Sequence, residues 1–386
     1  MIHTLACLLL LPLLQTAPDG PPLIEGTSLP FVELKAPEEH GGLDLFRFSP
    51  DGELIAGATG VGTMTWDGVQ SRFGGEVILW DAKTGRIVKT LGVHAATPTM
   101  LQFSTDGSRL LSYSREDHDA RLWSVPDGAL LAECSLEGAG TRGQSPVLGP
   151  DGRILIHLAE RTLEMGEGVD VPFMVEAWHL DDGRRLWART VEQPEEAMDA
   201  RFAISPDGTT VVISHRRMLW SEDGDRVQGR HLGGAHELLR LESGESVWSV
   251  SLPEERRSGR PHPEKQVLFT PDGSGILMVG RSTVHHYATS DGSPVGEPLD
   301  LEADESLEAI RFSSDGRHFM VTRFFDRQLE VRSFPGGAEV FRVLFTFPDK
   351  LASARPAPDL LRVVGRVGFS DPRVIDLTSG FDASPE

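Results

Sequence analysis

Two alternating turn signals, each written seven times along the 386 residues, predict an all-β protein: a seven-bladed β-propeller of four-stranded antiparallel blades. The first signal is an apolar strand followed by Ser-Pro-Asp-Gly or a close variant. The second is a β-rich stretch, a few polar residues, a glycine and another β-rich stretch. Because the signals alternate, each repeat has four short strands, whose apolar faces can be covered by neighbouring repeats in a ring.

The first signal is a tight turn between two strands. Proline presets φ at the first turn position, Asp bonds its own backbone, and Gly accepts a positive φ. The last copy has lost its glycine. The seven copies are Ser49-Pro50-Asp51-Gly52, Ser104-Thr105-Asp106-Gly107, Gly149-Pro150-Asp151-Gly152, Ser205-Pro206-Asp207-Gly208, Thr270-Pro271-Asp272-Gly273, Ser313-Ser314-Asp315-Gly316 and Ala357-Pro358-Asp359.

The second signal is a turn whose glycine follows a large apolar residue by five positions in six of its seven copies. The exception has Arg332 at that position. The seven glycines are Gly85, Gly128, Gly183, Gly244, Gly292, Gly337 and Gly380, and the apolar residues are Trp80, Trp123, Trp178, Leu239, Tyr287 and Ile375.

These repeats resemble the WD-repeat (WD40) family in its divergent bacterial form. The resemblance rests on Leu79-Trp80-Asp81, on Leu122-Trp123, on the Ser-Pro-Asp-Gly turns and on the period, and it covers residues 30–380. It implies a β-propeller that acts as a scaffold for protein or peptide binding. Fold resemblance alone does not decide the function, because propellers host many unrelated functions.

The second repeat also resembles the family's buried hydrogen-bonded tetrad. His94, Ser112 or Ser114, Asp117 and Trp123 stand at the matching places. The resemblance therefore implies a structural role for His94 rather than a catalytic or metal-binding one. The other repeats have lost most of the tetrad.

The last repeat ends at its third strand and needs a fourth. The segment 30–35 just before the first repeat alternates apolar and polar residues, as a strand with one buried face does. We therefore predict that it pairs with residues 372–377, so that the two termini close the ring. An open ring would leave a free sheet edge, which invites aggregation.

The amino terminus has features of a secretory signal peptide. Leu5–Leu14 is an apolar run of ten residues broken only by Pro12, too short to cross about 30 Å of hydrocarbon as a helix. We expect export to the periplasm or the medium, with no membrane insertion after signal removal. No Lys or Arg precedes the run, and a misassigned start codon is the alternative. The predicted boundaries are a signal peptide at 1–17, a linker at 18–29, the propeller at 30–380 and a tail at 381–386.

Composition excludes several kinds of site and partner. Lys plus Arg total 37 against 58 Asp plus Glu, a net charge of −21 that disfavours nucleic acid and anionic membrane surfaces. Cys7 and Cys134 are too few for a disulfide framework or a Cys-based zinc site. The absence of Asn and the preference for Arg over Lys indicate a GC-rich bacterial coding sequence.

Four insertions lengthen the repeats. Three fall between second and third strands, and one falls between a fourth strand and the next first strand. In an up-and-down blade both kinds of connection leave from the same face of the disc, so we predict one loop-rich face. Long connections of this kind are often functional. The insertions are Gly57–Gly75, Glu160–Val171, His215–Gly234 and Pro253–Lys265.

The insertions carry residue types that are enriched at the energetic centres of interfaces, Trp and Arg. On an acidic body such arginines favour an acidic or carboxylate-bearing partner. The alternative is structural: the tryptophans cover the disc, and the arginines pair with Glu222, Glu254 and Glu255. The candidate partner-binding residues are Trp66, Arg72, Arg216, Arg217, Trp220, Arg256 and Arg257.

No catalytic, cofactor or metal motif is present, so we expect a non-enzymatic scaffold without a cofactor. His285 and His286 are adjacent in a predicted strand and would point to opposite faces, which disfavours a shared metal. Residues 222–225 are acidic but lack the length and terminal Glu of a calcium loop. Two alternatives remain: a propeller enzyme or small-ligand binder with a pocket at the channel mouth, and a subunit of a larger assembly.

Overall fold

The computed structural model is an all-β protein of seven four-stranded antiparallel blades, which confirms the predicted fold class. The part of the chain that the structure describes contains no helix long and apolar enough to cross a membrane. The described residues are 23–25, 29–35, 41–60, 62–66, 69–73, 75–136, 145–160, 173–190, 197–223, 226–252, 266–280, 282–301, 307–323, 328–344, 351–367 and 372–378.

Two short strands precede the first blade: β1 (Leu23–Glu25) and β2 (Phe31–Glu33). The first blade comprises β3 (Gly41–Phe48), β4 (Leu54–Gly60), β7 (Gly75–Asp81) and β8 (Ile87–His94), with β5 (Gly62–Trp66) and β6 (Val69–Phe73) forming a separate hairpin between β4 and β7. The second blade comprises β9 (Met100–Phe103), β10 (Arg109–Ser114), β11 (Asp119–Ser124) and β12 (Leu130–Ser135), and the third comprises β13 (Val147–Leu148), β14 (Ile154–Glu160), β15 (Phe173–His179) and β16 (Arg184–Thr190).

The fourth blade comprises β17 (Ala197–Ile204), β18 (Thr210–Asp223), β19 (Arg226–Arg240) and β20 (Ser246–Leu252), and the fifth comprises β21 (Gln266–Phe269), β22 (Gly275–Val279), β23 (Thr283–Ala288) and β24 (Leu299–Asp300). The sixth comprises β25 (Leu307–Phe312), β26 (His318–Arg323), β27 (Gln328–Ser333) and β28 (Glu339–Leu344), and the seventh comprises β29 (Leu351–Pro356), β30 (Arg362–Val367) and β31 (Pro372–Asp376). The first strands of successive blades contact one another from blade seven through blade one to blade five, so they lie around the central channel.

The amino-terminal strand closes the ring as predicted. β2 is the fourth strand of the seventh blade and pairs antiparallel with β31, with Phe31 opposite Ile375. The first blade holds the other end of the same segment. The Trp80 indole donates to the Lys35 carbonyl at 2.7 Å, and the Lys35 amide donates to the Gly85 carbonyl at 2.8 Å. Blades seven and one are therefore joined through this segment.

One strand of this region was not predicted. β1 lies within residues 18–29, which the sequence interpretation took as a linker, and it pairs in parallel with β28 as a fifth strand of the sixth blade. The linker interpretation is wrong for residues 23–25. Their apolar Leu-Ile pair is too short for the repeat pattern to reveal, and only the exposed edge of β28 gives it a partner.

The predicted Ser-Pro-Asp-Gly turns form a continuous ring. Within a turn, the Ser or Thr hydroxyl donates to the Asp carboxylate, at 2.7 Å from Ser104 to Asp106 in the second blade. This hydrogen bond lowers the pKa of Asp106, so the turn stays ionised at neutral pH. In five junctions a turn residue packs against the proline of the preceding turn, for example Gly107 against Pro50.

Two turns have lost the proline and gain a hydrogen bond instead. Thr105 and Ser314 each have a backbone N–H, and it donates at 2.8 Å to the carbonyl of the next blade's proline, Pro150 or Pro358. The turn that has lost its glycine places Leu360 at a φ of 56°, an unfavourable conformation for a residue with a Cβ. The Leu360 side chain is 2% exposed in the core, and this burial offsets the backbone strain.

Apolar side chains fill the spaces between adjacent blades. The largest fully buried side chains include Trp80, Tyr113, Phe46 and Phe202. Cys134 lies on β12 beside this core, and burial raises the pKa of its thiol to about 11. It is therefore a packing residue rather than a reactive thiol.

Candidate functional sites

Two of the predicted insertions are β-hairpins rather than irregular loops. The β5–β6 hairpin places Trp66 opposite Val69 and Arg72 opposite Thr63. The sequence signal for this hairpin is the Asp-Gly pair at 67–68, which favours a two-residue turn between strands. The prediction of a long connection here did not include a hairpin, because it rested only on the length of the insertion.

The second hairpin extends blade four. β18 and β19 continue their pairing to Asp223 and Arg226, beyond Met218, where the pairing with β17 ends. Five further residues of strand correspond to about 17 Å of extension. Of the predicted partner-binding residues, Arg216, Arg217 and Trp220 lie on β18.

Antiparallel order places both hairpins on one face. Each connects a second strand to a third strand of its blade, and the ring of first-to-second turns lies at the opposite ends of those strands. The structure describes the backbone of both hairpins. Arg256 and Arg257 lie outside the described residues, as do the insertions at 161–172 and 253–265.

The second blade contains the hydrogen-bonded group that the family resemblance implies. His94 is fully buried, and its Nε2 lies 2.8 Å from the Ser112 hydroxyl. The Trp123 indole donates to the same hydroxyl at 2.8 Å. Burial lowers the pKa of His94 to about 4, with a smaller contribution from the nearby Arg121 guanidinium. His94 is therefore neutral at pH 7.

The acid beside this group is not the one that the resemblance implies. The Asp119 carboxylate is 3.7 Å from His94 Nδ1, whereas Asp117 accepts backbone N–H bonds from Ala96 and Asp119, each at 3.1 Å. One ligand atom from each of His94, Asp117 and Asp119 lies within 4.8 Å of the others, close enough to contact one cation. However, Arg121 lies 2.8 Å from the Asp119 carboxylate and already neutralises it. The geometry favours a structural ion-pair network over a metal site.

The third blade has a different buried network that the repeat pattern did not predict. Glu176 is 6% exposed, and its carboxylate lies 3.4 Å from His157 Nε2, 3.1 Å from the Trp178 indole nitrogen and 2.9 Å from an Arg185 nitrogen. Hydrogen bonding from His157 contributes most to lowering the pKa of Glu176 to about 2. A charged network therefore occupies the part of this blade that resembles the second-blade tetrad.

A cleft opens between the fifth and sixth blades on the face of the tight turns. Its volume is about 730 Å³, within the range of ligand-binding pockets. Its lining includes His286, Leu299 and Phe334, with the turns of both blades at its rim. His286 and Phe334 have ring centroids 5.6 Å apart. This site is on the opposite face from the two hairpins, and no motif in the sequence indicated it.

Comparisons with known proteins agree with this architecture. No family model matches the chain. The human WD repeat domain phosphoinositide-interacting protein 1 is 37% identical over 59 residues, which cover 15% of this chain and 13% of that protein. The β-propeller domain of Cps50 (Swd1) from Myceliophteria thermophila has a TM-score of 0.57 at 14% identity, covering 88% of this chain and 98% of that chain.

The chain folds as a seven-bladed β-propeller. At 14% identity the structural likeness shows the fold alone, and the sequence match spans a small part of the human protein. Function must therefore be argued from the surfaces of this chain.

Proposed function

We propose that this protein is a divergent bacterial WD40-type scaffold, exported and without catalytic activity, that binds a protein or peptide partner through its hairpin-bearing face. The observation that carries the proposal is the placement of two β-hairpins on one face of the ring, opposite the first-to-second turns of the blades. A hairpin that projects from a rigid ring adds little to the ring's own core. It does extend the surface that a partner can contact.

The residue types on the hairpins support binding. Trp and Arg contribute disproportionately to binding energy, and the hairpins carry Trp66, Arg72 and Trp220. With a net charge of −21, the chain as a whole repels acidic molecules. Local arginines therefore favour a partner that presents carboxylates to this face.

The experiment compares paired variants in a capture assay. The protein is immobilised, its partner is captured from an extract of the bacterial envelope, and the captured protein is identified and titrated. Trp66→Ala with Trp220→Ala should weaken binding at least about tenfold, since each interface tryptophan contributes roughly 1–2 kcal/mol or more. Thermal stability should be nearly unchanged.

The matched control truncates apolar side chains that are exposed elsewhere. Leu130→Ala with Leu131→Ala changes two side chains that are each 47% exposed on the outer strand of blade two. This control should leave partner binding intact. Equal binding by the Trp variant, or its loss through unfolding, would assign the two tryptophans to the structure rather than to an interface.

A further inference from the structure

The junctions between blades three, four and five show what fills the gap between neighbouring blades. In blades three and four, the residue four positions after the turn glycine is a tryptophan that packs under the turn of the next blade. Trp187 donates its indole N–H to the Leu241 carbonyl at 2.7 Å and packs beneath Gly244. Trp248 donates to the Thr289 carbonyl at 2.8 Å. Each indole is therefore partly buried and hydrogen-bonded.

The junction between blades five and six lacks this side chain. The equivalent position is Gly296, at a φ of 70° with open space where a Cβ would lie. Pro294 and Pro298 interrupt the outer strand, so β24 has only two residues. The carbonyl equivalent to the two indole acceptors belongs to Phe334, and it accepts no hydrogen bond from the residues that the structure describes.

The cleft of about 730 Å³ occupies this junction. Leu277, Val284 and Phe319 contribute apolar walls. The imidazole of His286 and the ring of Phe334 meet at a 56° tilt, and neither His286 ring nitrogen bonds to a described residue. An aromatic side chain would find ring edges and faces to pack against, with polar atoms available at the cleft wall.

The rim of the cleft is acidic. Among the described residues that line the cleft, Asp272, Asp315 and Glu297 lie at the rim with a single basic residue, Arg317. Hydrogen bonds from neighbouring hydroxyls lower the pKa of Asp272 and of Asp315, so both remain charged at neutral pH. The rim is therefore complementary to a cationic ligand, as is the chain as a whole with its net charge of −21.

We propose that the cleft between the fifth and sixth blades binds a tryptophan side chain of a partner protein, presented beside Lys or Arg. Leu299 packs beneath Gly337, where Trp187 and Trp248 pack beneath the turn glycines of the two preceding junctions, so the indole lies in the cleft beside Leu299. Its N–H donates to the Phe334 carbonyl. The basic neighbours contact the acidic rim. This site lies on the turn face and is separate from the hairpin-bearing face.

Short peptides test the proposal directly. The probes are acetylated, amidated Lys-Trp-Lys, Lys-Ala-Lys and Glu-Trp-Glu, titrated by calorimetry against the full chain. Lys-Trp-Lys should bind with one site per chain. Each of the other two should bind at least about tenfold more weakly, because one lacks the indole and the other meets like charge at the rim.

Two variants locate the binding. Glu297→Lys reverses an exposed rim charge and should weaken Lys-Trp-Lys by about fivefold while strengthening Glu-Trp-Glu, a shift expected for an exposed charge pair. Glu242→Lys makes the same change at an exposed position of blade four and should have no effect. Leu299→Trp places an indole inside the cleft and should abolish binding without loss of the folded state by circular dichroism.

The preceding junction supplies an independent test. Trp248→Gly recreates the cleft between blades four and five, so this variant should bind free indole at two sites where the wild type binds one. Indole should also raise its unfolding temperature more than that of the wild type. If this variant does not fold, the peptide titrations decide.

The proposal is overturned if Lys-Trp-Lys shows no binding at millimolar concentration, or if Leu299→Trp binds it as well as the wild type does. Equal affinity for Lys-Trp-Lys and Lys-Ala-Lys would show that charge alone attracts the peptide, which also overturns it. Self-association that Leu299→Trp removes would assign the cleft to a second copy of this chain instead of a basic partner.

Discussion

His94 makes the stability of the propeller depend on pH in a way that can be calculated from its surroundings. The imidazole is fully buried, bonded to Ser112, and close to the guanidinium of Arg121. Burial and the guanidinium lower the pKa of His94 from its ordinary value of 6.5 to about 4, while Asp117 and Glu133 oppose this shift. Protonation in the folded state would place a charge in the core.

The sign of the effect follows from proton binding. Between pH 6.5 and 4 the unfolded chain holds a proton on His94 that the folded chain lacks, so the free energy of unfolding falls as the pH falls. Lowering the pH from 7 to 5 should remove about 2 kcal/mol of stability through this one residue. Above pH 7 its contribution is fully present.

Urea unfolding followed by tryptophan fluorescence at pH 7 and pH 5 measures this dependence. His94→Gln keeps a side-chain donor for Ser112 but cannot titrate, so it should be less stable than the wild type at pH 7. Its loss of stability between pH 7 and pH 5 should be smaller by about 2 kcal/mol. His285→Gln removes an exposed histidine and serves as the control. The reasoning is refuted if His94→Gln and the wild type lose the same stability across this range.

Two further predictions concern ring closure and export. Gly85→Ala and Gly183→Ala both place a Cβ at a positive φ, near 65°, which costs about 1–2 kcal/mol in each variant. A Cβ at Gly85 would also clash with the Glu33 carbonyl of the closing strand. Nothing lies within 4 Å of a Cβ at Gly183, so this variant is the control. Gly85→Ala should therefore unfold at a temperature several degrees below that of Gly183→Ala in calorimetry, and equal unfolding temperatures would contradict the closure by β2. For export, intact-mass spectrometry of the protein expressed with its first 17 residues in a bacterial host should show a periplasmic form cleaved near Ala17; full-length protein confined to the cytoplasm would contradict the signal-peptide prediction.

The fold could be predicted because its signals repeat. A single Ser-Pro-Asp-Gly turn is weak, but seven copies alternating with seven turn glycines leave few other arrangements. The pairing of β2 with β31 was predicted by counting strands, and the structure confirms it within the predicted ranges 30–35 and 372–377. β1 escaped prediction because a three-residue strand has no period and depends on a partner strand more than 300 residues away.

The candidate sites were harder to predict, for two physical reasons. A hairpin inserted in a blade looks like extra length unless its Asp-Gly turn is noticed, as at 67–68. A cleft is defined by a missing side chain. Gly296 shows as a gap only when it is aligned with Trp187 and Trp248 and when Pro294 is seen to interrupt the strand.

The repeats show which parts of a blade the closed ring depends on. Each of the seven first turns keeps its aspartate, and where Thr105 or Ser314 replaces proline, a hydrogen bond to the next blade replaces the proline packing. The buried polar group is less constrained: blade two has His94 with Ser112, and blade three has Glu176 with an arginine. The groups of a buried polar network need hydrogen-bond partners only within the network, so its residues can change together. The turns must fit their neighbours on both sides, so a change in one must be compensated in the same junction. At the junction of blades five and six, Gly296 stands where the two preceding blades have a tryptophan. This loss of a large side chain leaves a cleft between the blades, and a ligand can bind there.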